Sequence, residues 1–576
     1  MTTGTAVGRT RAGEALDRLA ARVSRLRPRQ EVRLIVLATL ALTAACAALL
    51  VGPGRTFSNI YAHDIFIFLD GAHRVLDGQT PNRDFHTPLG LLAYLLPAAG
   101  LWLTGTAGGM MPVATALFLV ALCPALAYVA ASRLPVVYAL LFVGFSVAAA
   151  ATPAAVGEGL PSFAMFYNRW GYVLLGLLFA LALPVRRGPA RTGADAAVAA
   201  FVLLATFYLK VSYLAVAAVF TLLLLTSRQT RKAAALALVA AGLGVALVHL
   251  AWGGTAGYLD DLRVAAASSG VLRGTVGLLV SVAVQNVATI VPFGLVLAIA
   301  AIRGASWRTL LLCLYMAGAG LALANQNTQV LGILTLIPAA IVAALAVRNR
   351  DEPHPGTAPA LLALVATLAL PPTFSGFDTV ARHALNASRG GRPALDHVAS
   401  LDGFYAAELR VPPAGTPGLE TVRSAYRDGT ADLGMVNLVR ALPIIQILAQ
   451  PEYLWTLQDA IRLVRERPEL GGKILTLDMV SPLNALLRRS APRGVDSWYH
   501  DGRTFSATTY RSADTVFADV DVVMVPKAPV TTSSYDLLVQ LYGERLRRDY
   551  DVVATSDYWR AYARKVRRAG TGTSPG

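Results

Sequence analysis

The 576-residue chain is 55% hydrophobic and only 15% charged, yet its formal net charge is +16. Its apolar residues gather in runs such as 34–51, 113–131, 233–252 and 332–347, which approach or exceed the roughly 20 residues that cross a hydrocarbon core, so an ordinary soluble globule is excluded. Cys46, Cys123 and Cys313 all fall inside apolar runs, which supports neither a disulfide framework nor a metal cluster.

The positive charge has a membrane explanation. Arg9, Arg11, Arg18, Arg22, Arg25, Arg27, Arg29 and Arg33 crowd residues 1–32 and the start of the first apolar run. Such a segment is held in the cytoplasm, and anionic lipid headgroups, not nucleic acid, are its expected partner. The first run is too long for a cleaved leader and reads as a signal anchor. Short basic loops recur at Arg133, at Arg186, Arg187 and Arg191, at Arg228, Arg231 and Lys232, at Arg303 and Arg308, and at Arg348 and Arg350. Placing each on the cytoplasmic face requires two short helices that meet at Lys210, which then lies at the outer face. The run 89–103 would invert this order if it crossed. It is short and contains Pro97, Gly90 and Gly100, and reads as a re-entrant or interfacial helix. The result is a polytopic α-helical membrane protein with about eleven spans over residues 33–373. A soluble α/β domain follows over 374–576, outside the cell.

The first outer loop, 53–108, is the most informative stretch. Ile65, Phe68, Leu69, Ala72, Val75 and Leu76 recur at helical spacing, with His63, Asp70, Arg74 and Asp77 on the opposite face. The pattern predicts an amphipathic helix on the membrane surface, with Asp70 and Arg74 placed for an i,i+4 pair and Gly78 past its end. Asp64 precedes the apolar stripe. It is either the helix N-cap or a carboxylate that takes a proton from an attacking hydroxyl.

The sequence of Asp64, a surface helix, Gly78-Gln-Thr-Pro81 and Asp84-Phe-His-Thr-Pro-Leu89 resembles the first extracytoplasmic loop of GT-C glycosyltransferases. That superfamily includes the protein O-mannosyltransferases and the lipid A aminoarabinose transferases. The sharp likeness covers residues 61–89 only. Related enzymes often carry Asp-Glu at the first position, whereas Ile65 follows Asp64 here, which weakens the carry-over of a second carboxylate. The resemblance implies a polyprenyl-phosphate sugar donor, a lipid, glycan or protein acceptor and, in some members, a divalent metal ion. It adds Asp84 and His86 as candidate substrate contacts.

Further polar residues stand where the topology puts them outside. The second outer loop carries Glu158 and Tyr167-Asn-Arg-Trp170, and Glu158, Asn168 and Arg169 are candidate donor contacts. Tyr167, Arg169 and Trp170 equally suit interfacial anchoring. Lys210, alone between two apolar helices, needs a partner, a cavity or a route to the headgroups. The resemblance implies that it binds the donor phosphate, and snorkelling is the alternative. Asn325-Gln-Asn-Thr-Gln329 offers amides that either meet sugar hydroxyls or cap helices. Asp260, Asp261 and Arg263 read as solvated loop charges.

In the C-terminal region, 473–478, 519–525 and 550–554 read as strands and 534–548 as a helix. Asp519 and Asp521 share a strand face and read as structural. The expected function is inverting glycosyl transfer with Asp64 as general base. The alternatives are a lipid or polysaccharide transporter, which would show internal repeats, and a non-catalytic scaffold for envelope assembly.

Overall fold

The computed structural model describes residues 26–154, 160–188, 191–269, 275–326, 331–348, 356–389, 398–407, 450–527 and 529–565. Glu158, the arginines before Arg27, Arg350 and the Asn327-Thr-Gln329 amides lie outside the described residues. The chain begins with helix α1 (Pro28–Val51), strand β1 (Thr56–Ser58) and helices α2 (Ala62–Leu76), α3 (Leu92–Thr104) and α4 (Ala107–Arg133). It continues through α5 (Val136–Ala151), α6 (Phe166–Ala180), α7 (Thr192–Leu209), α8 (Val211–Leu225), α9 (Arg231–Trp252) and α10 (Thr255–Ser268). Helices α11 (Thr275–Gln285), α12 (Val287–Ile302), α13 (Trp307–Gln326), α14 (Leu336–Arg348) and α15 (Thr357–Ser388) complete the bundle. Among the described residues, six helices are long and apolar enough to cross a membrane, and a seventh crossing arises if the pair bent by 85° between Gln285 and Val287 is one span. The remaining apolar helices are shorter, and the protein is a polytopic helical membrane protein.

The two ends of the bundle differ chemically. At one end Arg187 pairs with Glu31 and donates to Ala131 O and Leu134 O, while Arg133 pairs with Asp195 at 2.7 Å. These contacts gather the start of α1, the turn between α4 and α5 and the loop before α7. At the other end, Gly108 N donates to Asp402 O at 3.0 Å and Gly90 N to Leu209 O at 3.3 Å. Helix α3 therefore begins beside Leu209 and ends beside Asp402, so it runs across one end of the bundle without traversing it. Its return into α4 is tight. A Cβ on Gly100 would stand 2.2 Å from Met110 O, so only glycine lets the two backbones approach.

The reversal expected at Lys210 is present. Leu204 lies against Gly244 and Tyr208 against Trp252, with ring centroids 5.8 Å apart, so α7 and α9 run side by side in one direction and α8 returns. Lys210 itself is extended, at φ −161° and ψ 123°, and ends one helix as it begins the next. All three cysteines are buried and free.

Two expectations are corrected. The segment from Phe374 does not open an α/β domain, because α15 continues through Phe374 to Ser388. The apolar run ends near Phe374, but Thr373, Gly376, Val380 and Ala384 pack inward on that helix, and packing overrides the local signal. The face of α2 that carries Asp70 and Arg74 is not in water. Both side chains are fully buried, their ion pair is 2.6 Å long, and Arg74 also donates to Pro492 O at 2.6 Å. The C-terminal domain covers the helix.

That domain comprises β2 (Val398–Leu401), β3 (Phe404–Ala407), α16 (Gln450–Arg465), β4 (Ile474–Thr476), α17 (Leu483–Leu487) and α18 (Ala513–Phe517), followed by β5 (Val522–Pro526), α19 (Thr532–Asp549), β6 (Tyr550–Thr555) and β7 (Trp559–Arg564). One sheet runs β4-β5-β7-β6, with β4 and β5 parallel and the other pairs antiparallel. The other, β1-β3-β2, takes β1 from the first outer loop, parallel to β3. The β2–β3 hairpin turns through Asp402 and Gly403 at φ 48° and 77°, the geometry of a two-residue Asp-Gly turn. Asp402 accepts from Ala107 N at 2.8 Å, where the start of α4 favours an anion. Strand β5 starts after Asp519 and Asp521 because Lys473 ties down both: its ammonium donates to Asp519 at 2.7 and 2.8 Å, and its N–H to Asp521 at 3.0 Å.

Candidate active site

Asp64 occupies the first turn of α2, not its cap. Tyr61 is the N-cap, in the left-handed region at φ 52°, and Asp64 N donates to Tyr61 O at 3.2 Å. The Asp64 carboxylate is held where the helix dipole favours it, and its side chain is 18% exposed, so it can meet a substrate. Its neighbour His63 lies 3.3 Å away, Nε2 to Oδ1.

Lys210 reaches the same region from the break between α7 and α8. Its Nζ donates to Asn168 Oδ1 at 3.0 Å and sits 5.3 Å over the Tyr167 ring and 5.9 Å over that of Tyr213. The ammonium is thus turned onto the start of α6. Among the described residues it has no carboxylate partner. A half-buried cation held by an amide and two π faces is left with unspent attraction for an anion. Asn168 also accepts from Tyr213 OH at 3.4 Å, and its Nδ2 lacks a partner among the described residues.

Arg169 lies buried behind the second outer loop. It is 1% exposed, and its Nη1 donates to Ala154 O and, at 3.2 Å, to Ala164 O. It clips together the two ends of the second outer loop, which also pair at Ala154 and Pro161. Its Nε and Nη2 have no partner among the described residues.

The C-terminal domain contributes a residue that the sequence reading missed. Arg503 stands within electrostatic reach of Tyr61, Tyr167 and Lys210, and His500 lies within reach of both Arg503 and Asp64. Burial, more than Arg503, holds the His500 imidazole below its ordinary range. Arg503 sits on a turn that repeats one in the first outer loop. Gly502 N donates to Phe505 O, Arg503 N and Thr504 N to His500 O, and His500 N to the Thr504 hydroxyl. In the other turn, Asn82 N donates to Phe85 O, Arg83 N and Asp84 N to Thr80 O, and Thr80 N to the Asp84 carboxylate. Gly502 and Asn82 both take positive φ, 73° and 63°. The shared pattern, a left-handed residue followed by Arg-x-Phe, was the available sequence signal.

Asp84 and His86 are placed in the seam between the domains. Asp84 accepts from Arg493 at 2.7 Å as well as from its own turn. His86 pairs its backbone with Val495 and Ser497 and its Nδ1 with Asp261 at 3.0 Å. Asp261 is 4% exposed and is the hub of that seam, contrary to the expectation of a solvated loop charge. It also meets Asn82 Nδ2 at 2.8 Å, Thr87 N at 3.0 Å and Arg511 at 2.5 Å. Arg511 in turn meets Asp496 at 3.3 Å. Burial pushes the Asp496 carboxyl up to about 6, against the opposing charge of Arg511.

Behind the site, Asp478 is fully buried and accepts from Met479 N at 2.7 Å and Val530 N at 3.1 Å. Burial pushes its carboxyl up to about 7 despite those bonds and the nearby His63. In the unfolded chain such a group titrates near 4, so the folded protein binds the extra proton between these values. That contribution to stability is complete below about pH 4 and is lost as pH rises through about 7. Asp478→Asn, which keeps one acceptor oxygen, is therefore expected to melt above wild type at about pH 8.5, with the gap closing at about pH 5.

No protein-family model matches the chain, and no curated protein matches it. Among solved structures, it is similar to the crystal structure of ArnT from Cupriavidus metallidurans bound to undecaprenyl phosphate, with 13% sequence identity, a TM-score of 0.43, and 92% of this chain and 97% of that chain covered.

Proposed function

We propose that the protein is a GT-C-type, inverting membrane glycosyltransferase that moves a hexosyl or pentosyl group from a polyprenyl-phosphate donor to an envelope acceptor on the outer face. One observation carries this reading. A partly exposed carboxylate, Asp64, lies within electrostatic reach of Tyr167, and an ammonium without a carboxylate partner among the described residues, Lys210, sits over the Tyr167 ring, at the end of the bundle that bears the C-terminal domain. Basic side chains at 133, 186, 187 and 191 gather at the opposite end, which supports a cytoplasmic assignment for that end and an outer one for the site.

The chemistry follows from the charges. The acceptor hydroxyl gives its proton to Asp64 as its oxygen bonds to the anomeric carbon from the face opposite the phosphate. The bond from that carbon to the phosphate oxygen breaks, its electron pair stays on the phosphate, and the configuration inverts. Lys210 and Arg503 meet the negative charge that builds there. Arg169 supports the donor side by holding the second outer loop. A divalent ion would need a set of oxygen or nitrogen ligands, and among the described residues no three His, Cys, Asp or Glu side chains converge on one position. These residues do not fit a metal, and no step is routed through one.

A deletion strain tests the reading. It is expected to lose one class of envelope sugar and to accumulate a polyprenyl-phosphate sugar, both read by mass spectrometry of glycans and lipids. Unchanged glycan and lipid pools would contradict it.

A further inference from the structure

We infer that His63 is a positioning residue for the base, and that the C-terminal domain holds it in place through Tyr453. The inference rests on the glycosyltransferase reading given above. His63 is 5% exposed and precedes Asp64 on the first turn of α2. Its Nε2 stands 3.3 Å from Asp64 Oδ1, close enough for an imidazole protonated at Nε2 to hold one carboxylate oxygen while the other receives the acceptor proton. A carboxylate with one oxygen anchored rotates less, and catalysis by a proton acceptor depends on that alignment.

The imidazole is itself fixed by two edge-on rings. Tyr61 lies 5.9 Å from it at 82°, and Tyr453, on α16 of the C-terminal domain, lies 6.1 Å away at 83°. Tyr453 also packs edge-on against Phe66, one turn along α2, at 5.6 Å. The domain thus touches α2 directly beside the base. This contact gives the domain a role beyond covering α2: undocking it frees the ring that orients Asp64.

The test compares variants in transfer from a polyprenyl-phosphate sugar, using the full chain in lipid nanodiscs. His63→Ala is expected to lower kcat about tenfold or more with the donor KM within about twofold. His63→Gln, whose amide N–H can replace the Nε2–H, is expected to recover most of that loss. Tyr453→Leu, which approaches from the other domain and leaves both acting residues intact, is expected to lower kcat several-fold with KM unchanged, and Tyr453→Phe to behave as wild type. Wild-type kcat in His63→Ala or in Tyr453→Leu overturns the inference, as does a His63→Gln variant no better than His63→Ala, which would reduce His63 to packing. A fully active Asp64→Asn variant would instead sink the underlying assignment of the base, whatever the His63 variants do.

Discussion

Asp64→Asn is expected to lower the rate of sugar transfer by about 10²–10⁴-fold, the usual worth of a positioned proton acceptor. The amide has the size of the carboxylate and can still accept from His63, so the fold of the α2 N-terminus should survive and donor binding should change little. What is lost is the ability to take a proton from the acceptor hydroxyl. The measurement is release of polyprenyl phosphate by the purified protein in nanodiscs, with donor KM and melting temperature recorded alongside. A variant with unchanged turnover would remove Asp64 from the chemistry.

Lys210→Met is expected to cost about 10²–10³-fold in kcat/KM, the loss typical of one preorganised group at a developing charge. Its pattern should differ from that of Asp64→Asn. The donor phosphate is already anionic when it binds, so KM should rise as kcat falls. Lys210→Arg, which keeps the charge, should recover part of the loss. Stability should move the other way: a half-buried ammonium met by Asn168 and two tyrosine rings is an uncompensated charge, so Met should melt no lower than wild type. Loss of activity together with retained or raised stability identifies a residue kept for function.

How far the sequence disclosed this arrangement depended on how local each cause was. Lys210 was legible because the loop charges require a reversal between the two apolar helices it separates, and the chain does break there. Asp64 stood out by its place before an apolar stripe, although Tyr61, with a left-handed backbone no pattern announces, took the cap. The α3 helix was legible as an element from its length and its proline and glycines, and both its ends lie at one end of the bundle. Asp261 was misjudged because nothing nearby in sequence shows that Asn82, Thr87, His86 and Arg511 will close over it. Arg503 was missed for the same reason: it belongs to a separate domain and reaches the site only by docking. The strand β1 is three residues long, too short for an alternation signal, and exists because β3 offers it an edge.

Docking is also what turns the amphipathic α2 into a buried helix. Its Asp70–Arg74 pair has the spacing of a surface pair, yet the domain seals it from water. The polar face read as facing solvent is the contact through which the domain reaches the base.

The most direct test of the central claim is a structure of the protein in lipid with a polyprenyl-phosphate sugar bound, using the Asp64→Asn variant to prevent turnover. The predicted result is a sugar ring between residue 64 and Lys210, its phosphate within hydrogen-bonding distance of Lys210 Nζ and its lipid chain lying along the bundle. A donor headgroup bound away from these residues, or a lipid threaded from one face of the bundle to the other, would contradict the account.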